Sequence, residues 1–253
     1  MLDVCGTYAE KHNLVFSVDP VPARSKTKCL YMCGRTRNVS YPAPLFLCGT
    51  ALPWVESATH LGHELHQCSN MDFDIKVKRA QYINRSVEIR DIFSFAEPQQ
   101  VLQAVNKYVG HHYGSMLWDM ESDMFGQYCR SWNTCVKLSQ NVPRSTHTYL
   151  VENVLASGFT PTKTEIMARY GKFYISLEKC SSTEVQLMSR VVKQDARSTT
   201  YRNLALIRKE TGVNTFVVPA RKVREAVQTS PLVSYKYRHE EFFPQKSGLR
   251  DFS

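Results

Sequence analysis

Two lysines one residue apart, Lys26 and Lys28 in Ser25-Lys26-Thr27-Lys28, are the first side chains with the chemistry of a site. At alternate positions entering a strand they point the same way. Ammonium groups so placed can hold a phosphate or give a proton to a leaving group. The same pair at a strand edge also discourages edge-to-edge association. Further on, His60-x-x-His63-x-x-His66-x-Cys68 puts four zinc-type ligands within nine residues. However, His63-Glu64-Leu65-His66 is one residue short of the H-E-x-x-H spacing, and His60 and His63 on one strand face opposite sides. The cluster is therefore read as ordinary strand and turn side chains, with no metal assigned, and His111, His112 and His147 are read the same way. Asp72 with Asp74, and Asp119 with Asp123, are the close aspartate pairs. At the heads of helical patterns such acids cap the helix or complement its dipole. No G-x-S-x-G, Walker A or G-x-G-x-x-G motif occurs, which removes the commonest hydrolase, nucleotidase and dinucleotide signatures.

The elements that must carry these residues change character along the chain. Leu2, Cys5, Ala9 and His12 recur at helical spacing over residues 1–13. Pro20 and Pro22 then force a turn or extended loop. Cys29 to Cys33 reads as a strand closed by Gly34. Leu45 to Cys48 and Leu52 to Val55 flank Gly49-Thr50 as a hairpin, and His60 to Leu65 reads as a last short strand. From Asn70 onward the spacing is helical. Phe73, Val77, Ala80, Ile83 and Val87 form one apolar stripe, with Lys76, Lys78, Arg79, Arg85 and Arg90 mostly off it. Pro98 opens a second helix carrying Val101, Val105, Tyr108 and His112, and a third covers Met124 to about Leu138. Ile166, Tyr170, Phe173 and Leu177 give another. Ser181 and Glu184 suggest a capping box, and Thr211-Gly212 closes a helix over Leu204–Lys209. Pro219 opens one more through Val223 and Val227, and a frayed tail is expected from Ser230.

The 253 residues carry 32 Lys+Arg and 23 Asp+Glu, a formal charge of +9, with 43% hydrophobic residues. This is globular composition; collagen-like, low-complexity and wholly disordered classes are excluded. Apolar runs are too short and too interrupted for a transmembrane helix. No basic segment precedes an apolar stretch at the start, so a signal peptide is not read there. Eight cysteines are too sparse for a disulfide scaffold, and reduced thiols in a cytoplasmic or nuclear setting are expected. Residues 1–160 hold 15 Lys+Arg against 14 Asp+Glu, whereas residues 161–253 hold 17 against 9. A basic C-terminal third favours a polyanionic partner, nucleic acid first and an anionic membrane second.

The order of these pieces resembles the end of a reverse transcriptase from a non-LTR (LINE-type) retrotransposon. Met1 to Phe16 resembles the palm helix that follows the catalytic aspartates. Ser25 to Met32, SKTKCLYM, resembles the Lys-Thr-Lys strand of the fourth conserved polymerase motif. Thr59 to Leu65, THLGHEL, resembles the next motif, with His60 standing where the family usually has Tyr. The basic helix from about Asp72, then Tyr113-Gly114-Ser115 with Trp118, resembles the thumb and the Tyr-Gly-x-x-x-Trp segment after it. Arg144 to His147 and Arg197 to Leu204 match the general character of the C-terminal region.

The resemblance implies roles. Lys26 or Lys28 would lie near an incoming triphosphate as general acid. His60, Leu61 and Gly62 would form the turn supporting the primer terminus, and Lys76, Lys78, Arg79 and Arg85 would contact the phosphates of an RNA-template/DNA-primer duplex. The family's aromatic-x-Asp-Asp pair, which holds the two metal ions, occurs nowhere in these residues. Mg2+ is accordingly expected only for a complete polymerase, and this chain alone is expected not to polymerise. The expected fold is α+β: a palm-remnant helix and small antiparallel sheet over 1–70, thumb-like helices over 71–119, and a basic helical region over 120–253. The expected partner is nucleic acid, with no membrane and no small-molecule ligand. A stand-alone nucleic-acid-binding helical protein and a non-functional relic are the alternatives.

Overall fold

The structure is a computed structural model that describes residues 2–32, 41–151, 155–156 and 158–212. The expected helix over Pro219–Val227, the tail beyond it and the end of the expected strand at Cys33 lie outside the described residues. The chain is mixed α+β and divides into two compact units, Met1–Val77 and Lys78–Ser253.

The first unit opens with α1 (Leu2–Lys11), which buries Gly6 and Ala9 and packs on strand β2. Strands follow in very short pieces: β1 (Cys29–Leu30), β2 (Phe46–Leu47), β3 (Thr50–Ala51), β4 (Trp54–Val55), β5 (Ser57–His60) and β6 (His63–His66). Among the described residues the expected single antiparallel sheet is not formed; they hold three separate two-stranded pairs, and one of them, β1 with β4, is parallel. Proline is the physical reason at the β3–β4 junction: Pro53 has no N–H to give a ladder, and its carbonyl instead accepts from Cys29 N–H at 2.9 Å.

Two of the pairs are two-residue hairpins. The β2–β3 turn places Cys48 at φ 50° and Gly49 at φ 75°, and the β5–β6 turn places Leu61 at φ 48° and Gly62 at φ 78°. Positive φ at both central residues is what a type I′ turn needs to match the twist of its strands. The expected single strand over His60–Leu65 is thus two strands and a turn. His60 and His63 become direct cross-strand partners on one face instead of lying on opposite faces.

Helix α2 (Asp72–Ile92) begins in the first unit and continues into the second. Asn70 sets its start, accepting from Asp72 N–H at 2.8 Å through its side-chain oxygen. Its buried positions are Asp74, Ile75, Tyr82 and Ser86. The expected stripe of Phe73, Val77, Ala80, Ile83 and Val87 is half-buried or exposed. The packed face is displaced toward Tyr82, which stacks on Tyr128 of α4, while Ser86 returns its hydroxyl to Tyr82 O at 2.8 Å. Arg79 falls on this packed face and donates from Nε to Ser131 Oγ at 3.1 Å.

In the second unit, α3 (Pro98–Tyr108) starts with Pro98 at its first position, and Glu97 N–H donates to Gln100 Oε1 at 3.3 Å. The helix stops at Tyr108, so His112 is not on it. His112 sits at φ 43° in the loop beyond. A single 3-10 turn over Ser115–Leu117 follows Gly114. Then come α4 (Asp123–Ser139), a helical turn α5 (Thr148–Leu150), α6 (Thr162–Glu178), α7 (Thr183–Gln194) and α8 (Thr199–Thr211). Ser122, Ser182 and Ser198 cap α4, α7 and α8 by accepting from Phe125, Val185 and Tyr201 N–H. The cap of α7 is therefore Ser182, one residue past the expected Ser181, because Ser182 is the hydroxyl within reach of the third helical N–H. Gly212, at φ 66°, ends α8 in the left-handed conformation that glycine adopts at little cost.

Helix α3 packs on α4, α6 on α7, and α7 on α8. The core they close holds Leu102, Val105, Trp118, Phe125, Val136, Ile166, Tyr170 and Ile207, all fully buried. Asn203, also fully buried, joins α8 to the segment before α4: its Nδ2 donates to Trp118 O at 2.7 Å, and its Oδ1 accepts from Met120 N–H at 2.9 Å. Beside it Arg202 pairs with Asp119 at 2.6 Å.

Candidate nucleic-acid interface

The basic side chains of the second unit separate into engaged and unengaged groups. Lys163 pairs with Glu210, Arg169 with Glu165, Lys193 with Glu178 and Arg202 with Asp119. Arg79 is committed to Ser131. Lys78 and Arg85 form no ion pair among the described residues. They lie seven positions apart on α2, two helical turns, and therefore on one face with Gln81 and Tyr82 between them. Lys76 is exposed and is rotated about 200° from Lys78 around the helix.

The face carrying Lys78 and Arg85 borders a cleft of about 240 Å³. Gln81, Tyr108, His111 and Tyr113 also line it, and among the described residues no aspartate or glutamate does. Tyr108 is 57% exposed and Tyr113 60% exposed, and Lys107 Nζ lies over the Tyr108 ring, 5.5 Å from its centroid. Beneath them is an aromatic floor. Tyr128 of α4 stacks on Tyr82 with ring centroids 5.6 Å apart and meets Trp118 edge-on at 4.7 Å. His112 closes the floor, with Nδ1 3.0 Å from the Tyr128 hydroxyl. Burial, then the charges of Arg169 and His111, push its imidazole down to about 3. His112 is thus a neutral floor residue and adds no charge to the cleft near neutral pH.

The first unit holds the remaining sequence-derived candidates. Lys26 and Lys28 are both exposed, but they occupy a bend before β1 rather than the strand itself. The bend is tied down by Thr27 N–H donating to Ser17 O at 3.1 Å and by Ser25 Oγ donating to Thr27 O at 2.5 Å. His60, Leu61 and Gly62 form the exposed tip of the β5–β6 hairpin. The structure brings Lys78 and Arg85 together at one cleft and does not add Lys76 or Arg79 to it.

Several functional-looking residues have structural employment that spacing did not reveal. Asp74 is fully buried; it accepts from Glu64 N–H at 3.0 Å, and its other oxygen lies 3.4 Å from His63 Nδ1. It ties the β5–β6 hairpin to the first turn of α2, beyond the dipole role expected of it. Asp119 likewise serves the Arg202 pair. His66 and Cys68 meet through a Cys68 N–H donated to His66 Nδ1 at 3.2 Å. Among the described residues no three His, Cys, Asp or Glu side chains gather as a metal-ligand set. Burial pushes the Cys129 thiol up to about 12 and the Cys135 thiol up to about 11, which leaves both without thiolate nucleophile character at neutral pH. Of the floor residues, Trp118 stands in the Tyr-Gly-x-x-x-Trp segment, whereas Tyr128 belongs to no motif and could have been indicated by helical spacing, through its place with Phe125, Trp132 and Cys135 on the buried face of α4.

The cleft therefore brings together two cations without an ion pair among the described residues, exposed aromatic rings and a side-chain amide. Among the described residues, no helix is long and apolar enough to cross a membrane. No family model, curated protein or solved structure matches the chain.

Proposed function

We propose that this chain binds nucleic acid without catalysing its synthesis, acting as the thumb-like part of a non-LTR retrotransposon reverse transcriptase. The observation that carries the reading is the pair Lys78 and Arg85, which share a face of α2 and, among the described residues, have no carboxylate partner and border a cleft with no acidic side chain. Backbone phosphates supply the affinity in such contacts, and each phosphate neutralised releases counterions. Lys76, exposed on another face of the same helix, is a secondary contact. Arg79 acts mainly through Ser131. Polymerisation needs metal-binding aspartates in an arrangement these residues do not contain, so nucleotide incorporation on a primed template with Mg2+ is not expected.

The test is salt-dependent binding of an RNA/DNA hybrid and a DNA duplex. The Lys78→Ala/Arg85→Ala double variant should reduce the slope of log affinity against log salt by about 0.9 for each phosphate contact removed. An unchanged slope overturns the interface. A second reading, a decayed remnant of such a polymerase, draws support from the first unit, where Val4, Tyr8, Val15 and Leu61 expose large apolar side chains. Absence of a cooperative melting transition in the full chain favours that reading.

A further inference from the structure

We infer that the cleft beside α2 receives one unpaired nucleotide of a nucleic-acid strand, with its phosphate between Lys78 and Arg85 and its base against the rings of Tyr108 and Tyr113. The inference rests on the nucleic-acid reading above and narrows it from duplex phosphates to a single extruded or overhanging unit.

Size is the first argument. A cleft of about 240 Å³ lies below the range of drug-sized pockets; it has room for about one nucleotide, while a base pair in a stacked duplex cannot enter it. Chemistry is the second. Base stacking on aromatic side chains is sequence-tolerant because every base has a flat π face, and Tyr108 and Tyr113 hold ring area in solvent at a lip of the cleft. The Gln81 amide can both donate and accept at a base edge. The floor is the third. Tyr82, Trp118 and Tyr128 are buried and packed on one another, so the cleft keeps its shape without a ligand and little ordering is needed on binding. The described lining, which carries cations and no carboxylate, is the fourth, since an acidic side chain at the lip would repel the phosphate.

The chemistry recognised is a nucleoside phosphate, which can come from a strand or from a free mononucleotide. Fluorescence anisotropy with the full chain separates these sources. The probes are a blunt 16-base-pair duplex, the same duplex with a three-nucleotide overhang, and that overhang with abasic residues, each made as DNA and as RNA. The overhang should bind about tenfold tighter than the blunt duplex, the order of one stacked base, and the abasic overhang should lose that gain. Tyr108→Ala/Tyr113→Ala should abolish the overhang preference while keeping blunt-duplex affinity and its salt slope. Tyr108→Phe/Tyr113→Phe should restore the preference, because the ring and not the hydroxyl stacks. Lys78→Ala/Arg85→Ala should weaken every probe.

Equal affinity of the wild-type chain for overhang, abasic overhang and blunt duplex overturns this inference and leaves the nucleic-acid reading standing. Failure to bind any probe overturns that reading itself. A free nucleoside monophosphate that binds as tightly as the overhang duplex overturns the assignment to a strand.

Discussion

Among the described residues, the buried apolar side chains of Met1–Val77 are Ala9, Leu47, Leu52, Pro53 and Ile75, while those of the second unit include Trp118, Phe125, Trp132, Ile166, Tyr170 and Ile207. In the first unit Val15 is 95% exposed and Val4 71%. The first unit depends on hairpins of two- and four-residue strands, and on polar ties such as Asp74 to the Glu64 amide. The second places whole helical faces against one another. The difference teaches that a short strand pair cannot stabilise itself by its ladder alone; what is missing is apolar area, which contributes roughly 25 cal/mol for each Å² removed from water.

Hydrogen exchange gives the widest separation between the two units. Amides of β1 to β4 should exchange about a thousandfold faster than those in the middle of α4 and α6, since local opening needs little free energy where few apolar contacts are broken. Within the first unit the Glu64 amide should be among the slowest, because its acceptor is the buried Asp74. Comparable protection in both units would break the comparison.

Next in size, Trp118→Ala should cost about 4 kcal/mol in chemical denaturation, the usual range for a large aromatic in a core that relaxes only partly. Asn203→Ala should cost about 2 kcal/mol, because it strands a buried carbonyl at Trp118 and a buried N–H at Met120. Both losses should appear in the second unit's transition and leave exchange in β1–β6 unchanged.

The most gradual effect, spread over several pH units, is a pH slope. The folded chain holds His112 neutral down to about 3, whereas the unfolded chain protonates it below about 6.5. The unfolded state therefore binds more protons between these values, and stability rises with pH there. The contribution is fully present above about pH 6.5 and is lost as pH falls toward 3, at no more than about 1.4 kcal/mol per pH unit. Denaturation midpoints of wild type and His112→Gln across that window should diverge, with the variant flatter. Parallel curves would show that His112 is not held neutral by burial beside Tyr128, Tyr82, Arg169 and His111.

Much of the second unit was legible because helices announce themselves over three or four turns. The periodicity of Val101 and Val105, the proline at 98 and the Gly212 stop all correspond to observed features. The register of α2 was harder. Its expected stripe counted apolar residues equally, while the observed face follows Tyr82 and accommodates Asp74, Arg79 and Ser86 by giving each a hydrogen-bond partner. Hairpins in the first unit were partly legible through Gly49 and Gly62. The β5–β6 turn escaped a periodicity reading because Leu61 is an unusual residue for positive φ. At the cleft, Lys78 and Arg85 were visible as basic residues on a helix. Their distinction from Arg79 was not, since it depends on Ser131, 52 positions away. The floor of Trp118, Tyr128 and His112 is likewise a tertiary product of a loop and a helix.

The distribution of tryptophan gives the molecule a built-in optical label. Of its three tryptophans, Trp54 is half-buried in the first unit, and Trp118 and Trp132 are buried in the second. Trp54 should emit at longer wavelength and be the one reached by a soluble quencher, while the other two emit from an apolar setting. In a Trp54→Phe background, intrinsic emission reports the helical unit alone, and the difference from wild type isolates the hairpin unit without any attached dye. Each unit's unfolding then becomes a separate spectroscopic trace from an unlabelled chain.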